Sequence, residues 1–171
     1  LKNIIGDAAV FGAVNTVKCA DFSGDNTDGL GFMLMLVNNG IEINGKKFLI
    51  IGAGGAGRSI AKKLSDGGAE VYIYDKNYKN SKTVEAEFKS VKALENLQLP
   101  PYYAVINASG VGMHKTEGIS PVGEELLKNC EVAIDLIYAP TQSEFLKIAK
   151  SLGKKTVNGL GMLFYQAYYA Q

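Results

Sequence analysis

Three glycines in this sequence have the spacing of a site that holds a phosphate-bearing nucleotide. Gly52, Gly54 and Gly57 fit the pattern G-x-G-x-x-G and directly follow a run of four apolar residues. In that pattern the first glycine permits a tight turn from strand to helix, and the second lets a pyrophosphate approach the backbone. The third lets the helix pack closely on the strand, and the helix N-terminus then directs free N–H groups at the phosphates. The chemistry predicted here is dinucleotide binding.

An acid follows at the distance that such a site requires. A second strand-like run, residues 70–74, is followed at once by Asp75. A dinucleotide-binding fold places a carboxylate about 20 residues beyond its glycines, where it holds the adenosine ribose. The alternative is a βαβ unit whose glycines serve only packing, with Asp75 capping the next helix. The motif, the flanking strands and the acid together favour the nucleotide-binding interpretation.

Apolar runs and helix-length segments alternate along the rest of the chain. Alternation of this kind predicts an α/β fold, a Rossmann-like doubly wound parallel sheet with strand order 3-2-1-4-5-6 and ligands beyond the carboxyl ends of the strands. Residues 1–28 do not read like the start of such a fold, because 9–17 is β-prone and 23–29 is a polar turn. We predict strands at 48–51, 70–74, 89–92, 102–107, 131–137 and 155–158, and helices at 30–38, 78–88, 124–128, 143–151 and 159–170.

Composition narrows the class of protein. The 171 residues suffice for one well-cored domain, and 47% hydrophobic with 20% charged residues is the balance of a globular protein. A net charge of +1 gives no electrostatic reason to expect nucleic acid or a membrane surface as partner. Cys19 and Cys130 lack metal-ligand spacing, so we expect free thiols, no metal site and a reducing cytoplasm. We expect the lysines at 76, 79 and 82 to form a solvated face. The start at Leu1 rather than Met suggests a piece of a longer protein.

Six short motifs follow one another in this chain, most of them at predicted strand ends. They are 12–16, 24–29, the glycine loop, 107–109 with 112–113, 135–138 with Pro140, and 158–163 with Gln166. In this order and spacing they resemble the shikimate dehydrogenase family, which reduces 3-dehydroshikimate to shikimate in aromatic amino-acid biosynthesis. The resemblance covers nearly the whole chain from about Gly12.

The resemblance implies a role for each motif. It makes Asp28 the catalytic aspartate, which the family pairs with a lysine, and a carboxylate beside a lysine can share a proton with it. It places Asn15, Tyr138 and Gln166 against the substrate. The glycine motif and the resemblance together assign the following residues to the cofactor: Gly52, Ala53, Gly54, Gly55, Ala56, Asp75, Lys76, Asn107, Ala108, Ser109, Gly159 and Met162.

Purely structural roles remain open for several of these residues. Asp28 and Asn26 would also suit an Asx turn and a helix N-cap. Asn15 would also satisfy nearby backbone groups, and Met162 is expected to be a core residue first. His114, the only histidine, lies on a predicted loop and is expected to be a surface residue.

The chain departs from the family in one place. The family's N-terminal substrate domain carries an Asn-x-Thr-x-Pro-x-Lys segment with the catalytic lysine, and nothing here matches it. We therefore expect a nucleotide-binding portion, with residues 1–28 as the remnant of the substrate domain and 29–171 as the Rossmann domain. Such a piece lacks the catalytic lysine and is expected to be inactive alone. Its partners are shikimate or 3-dehydroshikimate in the full-length enzyme, the missing domain, and a possible homodimer. The alternatives are a quinate dehydrogenase paralogue and a non-catalytic dinucleotide-binding module.

The residues after the second strand bear on the choice of cofactor. Most family members carry Asn-Arg-Thr or Asn-Arg-Ser there, and the arginine clamps the 2′-phosphate of NADP. This chain has Asp75-Lys76-Asn77 instead. The carboxylate suits the ribose hydroxyls of NAD and repels a 2′-phosphate, and Lys76 offsets only part of that repulsion because it is a flexible point charge. The sequence predicts a preference for NAD, with NADP as the alternative.

Overall fold

A computed structural model describes residues 3–11, 14–97 and 100–170, with the side chains of residues 10 and 11 excepted. Leu1 lies outside the described residues, as do Gly12 and Ala13 of the first motif. The N-terminal part consists of a small three-stranded sheet, of order β1-β3-β2, followed by a helix. Its elements are β1 (Asn3–Ile4), α1 (Gly6–Phe11), β2 (Thr16–Lys18), β3 (Ser23–Asp25) and α2 (Asp28–Asn38).

The remainder forms a six-stranded parallel sheet with helices on both faces. Its order, β6-β5-β4-β7-β8-β9, is 3-2-1-4-5-6 when counted from β4, which confirms the predicted doubly wound topology. The elements are β4 (Lys47–Ile51), α3 (Gly55–Asp66), β5 (Glu70–Tyr74), α4 (Tyr78–Glu87), β6 (Val91–Leu94), β7 (Tyr102–Asn107), a 3₁₀ turn (His114–Thr116), α5 (Glu124–Lys128), β8 (Cys130–Asp135), α6 (Glu144–Ser151), β9 (Lys155–Val157) and α7 (Leu160–Tyr169).

The central strand β4 is buried on both faces, as its unbroken apolar run predicts. Phe48 and Ile50 face a core shared with α2, α3, α4 and α7. Leu49 and Ile51 face a second core, shared with α5 and α6. Because neighbouring parallel strands all end at the same edge, the loops that follow β4, β5, β7 and β8 gather there.

The N-terminal segment differs from its predicted extended form. Residues 9–11 belong to helix α1, and the extended part is only Thr16–Lys18. Gly6, at φ +53°, turns the chain after β1, and Asp7 then forms an ion pair with Lys63 of α3 at 2.8 Å. Ala8 is completely buried. Packing of this first turn against α3 overrides the local β propensity of the segment.

Two strand boundaries differ from the predicted ones because of local hydrogen bonds. β8 ends at Asp135 rather than at residue 137, because the Asp135 carboxylate accepts a hydrogen bond from the Ile137 N–H at 3.0 Å and turns the chain. β6 starts at Val91 rather than at residue 89, after a turn in which the Val91 N–H donates to the Phe88 carbonyl at 2.8 Å.

Helices α2 and α7 cross at a glycine. A Cβ atom on Gly31 would lie 2.7 Å from the backbone nitrogen of Gln166 and 2.8 Å from the carbonyl oxygen of Met162. Only glycine permits so close an approach of two backbones. The crossing holds the second half of α7 beside the N-terminal end of α2.

Two further sequence expectations concern the described residues. Cys19 is exposed and Cys130 buried, and both are free thiols as predicted. Among the helices of the described ranges, none is long and apolar enough to cross a membrane.

Candidate cofactor and substrate site

The glycine loop joins β4 to α3, and its three glycines differ in their surroundings. Gly52 has φ +107°, and a Cβ there would lie 2.7 Å from the carbonyl oxygen of Ala108. A Cβ on Gly57 would collide with the carbonyl oxygen of Gly52, so Gly57 allows the first turn of α3 to sit on the strand end. Gly54, the N-cap of α3, faces open space, and a Cβ there would meet nothing within 4 Å. Packing explains Gly52 and Gly57, whereas Gly54 leaves room for a ligand at the helix N-terminus.

Asp75 lies at the end of β5, next to this loop. Its Oδ2 atom accepts a hydrogen bond from the Ala53 N–H at 2.9 Å. Its Oδ1 atom accepts from the Asn77 N–H at 2.9 Å and from the Asn80 side chain at 3.1 Å. Partial burial raises the pKa of Asp75, but these three hydrogen bonds and nearby Lys76 outweigh it and bring the pKa below its ordinary value. The carboxylate is therefore held in its charged form.

The predicted capping role of Asp75 is shared with a neighbour. Asn77 is the N-cap of α4, and its side chain accepts from the Lys79 N–H at 3.3 Å. Asp75 also contributes to this helix start, through Oδ1. Its other oxygen is directed to the glycine loop, so one carboxylate links the two elements.

A cavity of about 350 Å³ lies beyond the carboxyl ends of β4, β5 and β7. It brings together residues from three loops that were predicted separately to bind the cofactor. Its lining is Ile51, Gly52, Gly54, Tyr74, Asp75, Lys76, Ala108, Ser109, Val111 and Pro121. We name it the Asp75 cavity.

Asn107 lies beneath the Asp75 cavity rather than in its wall. The side chain is fully buried, and its nitrogen donates to the Val111 carbonyl at 2.9 Å and to Asp135 Oδ1 at 3.0 Å. Its oxygen accepts from the N–H and the hydroxyl of Ser109, at 3.1 and 2.7 Å. Both polar atoms are thus occupied within the protein. Asn107 fixes the loop that presents Ala108 and Ser109.

Asp135 is the second member of this buried network; it begins the 135–138 motif, but the sequence interpretation gave it no role of its own. It accepts hydrogen bonds from Asn107, from the Ile137 N–H and from the hydroxyl of Ser143, which is the N-cap of α6. Burial raises the pKa of Asp135, although these hydrogen bonds act in the opposite direction. The available signal was an acid at the end of an apolar strand, since such a group needs several partners to be buried.

A second cavity, of about 140 Å³, lies on the other side of the glycine loop. It brings together Ala56, Gly159 and Met162, predicted for the cofactor, and Tyr138 and Gln166, predicted for the substrate; Leu136 and Leu163 complete its lining. We name it the Gln166 cavity. Met162 is only 6% exposed, so it belongs to the core as well as to this wall.

Asn15 and Asp28 are in direct contact. The Asn15 side chain donates to Asp28 Oδ1 at 2.8 Å and accepts from the Thr27 N–H at 3.0 Å. The Asp28 N–H donates to the side chain of Asn26 at 3.0 Å, in the Asx turn that residue type predicts. The Asp28 carboxylate itself therefore meets Asn15 from another part of the chain.

Gln166 connects this pair to the rest of the site. It lines the Gln166 cavity and also a third cavity, of about 130 Å³, whose wall includes Asn15 and Thr27. The Thr27 hydroxyl donates to the Gln166 carbonyl at 3.1 Å. Of the predicted site residues, four line none of these cavities: Ala53, Gly55, Asn107 and Asp28. The Ala53 N–H is bound to Asp75, Gly55 begins α3, and Asn107 is buried. Asp28 is next to the third cavity only through its hydrogen bond with Asn15.

Within the described residues no three His, Cys, Asp or Glu side chains are grouped so as to hold a metal ion. His114 begins a 3₁₀ turn on the loop after β7 and is exposed, as predicted.

A parallel sheet of this order, with a glycine loop at its first strand and an acid at its second, defines a dinucleotide-binding domain of the dehydrogenase type. Residues 31–99 match the family model described as D-isomer specific 2-hydroxyacid dehydrogenase, NAD binding domain. Fold, loop and family model agree on NAD(P) binding.

Relatives with the same fold are shikimate dehydrogenases. A shikimate dehydrogenase (NADP(+)) from Carboxydothermus hydrogenoformans is 36% identical over 99% of this chain and 65% of its own length. The solved shikimate 5-dehydrogenase of Listeria monocytogenes, in complex with shikimate and NAD, matches with a TM-score of 0.85 and 31% identity, over 99% of this chain and 65% of that one. That of Thermus thermophilus, with NADP(H) and shikimate, gives a TM-score of 0.88 and 33% identity at the same two coverages. The chain is therefore similar to shikimate dehydrogenases over nearly its whole length, and it spans 65% of the length of these relatives.

The comparisons do not support the predicted preference for NAD. The relative from C. hydrogenoformans is named for NADP(+), and the two solved structures hold NAD in one case and NADP(H) in the other. Binding of a nicotinamide dinucleotide is common to them all.

Proposed function

We propose that this chain is the cofactor-binding part of a shikimate dehydrogenase, an enzyme that interconverts 3-dehydroshikimate and shikimate with NAD(P). One observation carries the proposal: Gln166 lines both the Gln166 cavity, whose wall includes Ala56 of the glycine motif, and the third cavity, whose wall includes Asn15. Asn15 in turn is hydrogen-bonded to Asp28. A dinucleotide laid across the glycine loop would thus meet the substrate beside a carboxylate.

The residues present fit a dinucleotide. Gly54 leaves open space at the N-terminus of α3, and Asp75 offers a charged oxygen at the wall of the neighbouring cavity. In the proposed arrangement the Asp75 cavity takes the adenosine end, and Ala56, Gly159 and Met162 lie near the nicotinamide end. Asn107 acts through the loop it fixes, since its own polar atoms are occupied.

The proposed chemistry divides between the cofactor and two side chains. A bound nicotinamide would supply the hydride transfer, which leaves the proton of the substrate hydroxyl to be moved by the protein. Asp28 takes part in that proton transfer together with the family's catalytic lysine, whose sequence segment has no match in the 171 residues. Asn15 orients the Asp28 carboxylate by its hydrogen bond. Tyr138 and Gln166 contact the substrate from the nucleotide-binding side.

The structure supplies a reason to propose NAD as the preferred cofactor. Asp75 is held ionised at the wall of its cavity, where the 2′-phosphate of NADP would place a like charge. At a separation of about 4 Å, two like charges cost on the order of 4 kcal/mol near a protein surface before screening. Lys76, exposed on the same wall, opposes this effect.

Residues 1–28 retain their proposed assignment as the end of the substrate domain. The described part of this segment contains a small sheet of its own, outside the parallel sheet, and includes Asn15 and Asp28, which are hydrogen-bonded to each other. Quinate is the alternative substrate, because the same hydride chemistry serves a related ring. Without the lysine segment the 171-residue chain is expected to bind dinucleotide and to turn over little substrate, since a positioned acid or base contributes about 10²–10⁴-fold in rate.

The test combines binding and turnover on one preparation. Calorimetry with NAD and with NADP measures dinucleotide binding, and nicotinamide fluorescence measures oxidation of shikimate and of quinate. Binding without turnover is the expected result. Absence of binding to both dinucleotides would overturn the proposed function, and rapid oxidation by the chain alone would overturn the assigned need for a lysine from elsewhere.

A further inference from the structure

The carboxylate of Asp75 has an uneven set of hydrogen bonds. A carboxylate has two oxygens with about four acceptor positions in total. Oδ1 accepts two hydrogen bonds, from the Asn77 N–H and from the Asn80 side chain. Oδ2 accepts one, from the Ala53 N–H. Counting only donors in the described ranges, one acceptor position is left, and it lies on Oδ2.

Of the three donors, only one depends on a side chain. The N–H groups of Ala53 and Asn77 belong to the backbone and would be present with other residues at those positions. The third donor is the amide of Asn80, on the first turns of α4, at 3.1 Å from Oδ1. Position 80 is therefore where the sequence can alter how Asp75 is held without altering Asp75.

The amide of Asn80 also supplies its hydrogen bond without a charge. Lys76 is the one cation whose charge acts on Asp75 in the described structure, and it is exposed to solvent. A neutral donor stabilises the ionised carboxylate yet leaves its negative charge in place. A lysine at position 80 would reach the same oxygen and bring a positive charge to the cavity wall.

We propose that Asn80 is a positioning residue for the choice of cofactor: by occupying Oδ1 with a neutral donor, it leaves Oδ2 to accept the 2′-hydroxyl of an adenosine ribose and adds no positive charge that would favour a 2′-phosphate. This rests on the proposed binding of a dinucleotide in the Asp75 cavity. It adds that Asp75 binds a single ribose hydroxyl, and that Asn80, which lies outside the cavity wall, sets the discrimination between NAD and NADP.

Three variants of the 171-residue chain test the role of Asn80, with NAD and NADP as titrants in calorimetry. Asn80→Ala removes the donor, and Asn80→Lys keeps a donor and adds a charge. Thr83→Ala is the matched control, because Thr83 is an exposed polar residue on the same helix whose hydroxyl bonds only the Lys79 carbonyl in the described structure, at 2.9 Å.

The expected changes differ between the two cofactors. Loss of one hydrogen bond that orients a charged group should weaken NAD binding by roughly 3- to 10-fold in Asn80→Ala and change NADP binding by less than about twofold. Asn80→Lys should strengthen NADP binding by about 10-fold. Thr83→Ala should match the unmodified chain for both cofactors.

A pH series separates positioning from a merely structural effect. Removing the Asn80 donor raises the pKa of Asp75, so the loss of NAD binding on acidification should begin at a higher pH in Asn80→Ala than in the unmodified chain. A general loosening of α4 would lower affinity at every pH and leave that midpoint in place.

Nucleotide analogues test the single hydroxyl. Adenosine 5′-monophosphate that lacks the 2′-hydroxyl should bind several-fold more weakly than the parent nucleotide, by the loss of one hydrogen bond, whereas the 3′-deoxy analogue should bind within about twofold of it. Equal losses for the two analogues would overturn the assignment of one acceptor position.

The outcomes distinguish this inference from the proposed function. If the unmodified chain binds neither NAD nor NADP, the proposed function fails. If it binds a dinucleotide and Asn80→Ala behaves as Thr83→Ala does, or loses both cofactors equally, the role of Asn80 is wrong while dinucleotide binding stands.

Discussion

The side chain of Asn107 donates to the carboxylate of Asp135 across 3.0 Å, and both side chains are fully buried. This contact joins the ends of β7 and β8 beneath the loops that carry Ser109 and Tyr138. Through Ser143 the same carboxylate reaches the start of α6. Three elements thus depend on one ionisable group.

Replacing Asp135 should therefore cost much more stability than replacing Ser143. Asp135→Ala leaves three buried donors without their acceptor, and we expect the free energy of unfolding to fall by about 3 kcal/mol or more. Ser143→Ala removes one hydrogen bond and one helix cap, for about 1 kcal/mol. Urea unfolding of both variants measures the difference. Equal costs would show that Asp135 does not hold the network together.

The three glycines of the loop should respond differently to alanine. Gly57→Ala brings a Cβ into the Gly52 carbonyl, and we expect a loss of about 3 kcal/mol in the free energy of unfolding. Gly54→Ala meets open space and should cost about 1 kcal/mol or less, as an N-cap change. It should nevertheless weaken dinucleotide binding by about 10-fold or more, because the methyl group occupies the approach of the pyrophosphate.

Melting curves and calorimetry on these two glycine variants check the prediction. A Gly54→Ala protein that binds NAD as tightly as the unmodified chain would show that the pyrophosphate does not approach the backbone at this point.

Substitution of Asp75 should exchange the preference between cofactors. Asp75→Asn removes the charge that faces the 2′-phosphate, so NADP binding should improve and NAD binding should weaken. Even a quarter of the unscreened repulsion would change affinity several-fold, because about 1.4 kcal/mol corresponds to a factor of 10. Titration of both cofactors into the two proteins measures this. If the unmodified chain binds NADP about tenfold more tightly than NAD, the charge of Lys76 dominates and the preference proposed here is wrong.

Asp75 should also contribute to the dependence of stability on pH. Its pKa in the folded chain lies below the ordinary value of 3.8, so its contribution is present above that pH and is lost as the pH falls through the folded pKa. The drop in unfolding free energy between about pH 6 and about pH 3 should therefore be smaller in Asp75→Asn than in the unmodified chain. An unchanged drop would mean that Asp75 is not stabilised in its charged form.

The region around the N-terminal sheet is expected to bind a second protein surface. Ile4, Ile5, Val17 and Phe22 are each at least 45% exposed, and exposed apolar groups of this kind tend to be covered by a partner. We predict self-association of the 171-residue chain, which light scattering detects, and its reduction by Phe22→Ser. A monomer at all concentrations would contradict this prediction.

Local patterns predicted the parallel sheet well. The bounds of β5, β7 and α5 follow directly from their apolar runs and helix signals, because each is bounded by glycine, proline or polar residues that end it. The glycine loop and Asp75 could likewise be recognised, since their spacing follows from one βαβ unit.

The remaining features depend on contacts between distant parts of the chain. Helix α1 forms where a β-prone sequence was expected, because Ala8 and Asp7 pack against α3. The roles of Asp135 and Asn80 rest on side-chain partners that no periodic pattern marks. The crossing of α2 and α7 at Gly31 joins segments far apart in sequence, so only the folded chain reveals why that glycine is needed.

In the proposed arrangement, the two cavities on opposite sides of the glycine loop would make coenzyme choice and ring recognition separate tasks. Asp75 directly follows β5 and Asn80 lies on α4, whereas Tyr138 and Gln166 belong to the β8–α7 side of the sheet. Exchange of one coenzyme for the other can therefore proceed by substitutions that leave the ring pocket untouched. For protein engineers, a dehydrogenase arranged in the proposed way would be amenable to pairing with whichever coenzyme a recycling system regenerates. In evolution, the same separation would allow a change of coenzyme by a few substitutions.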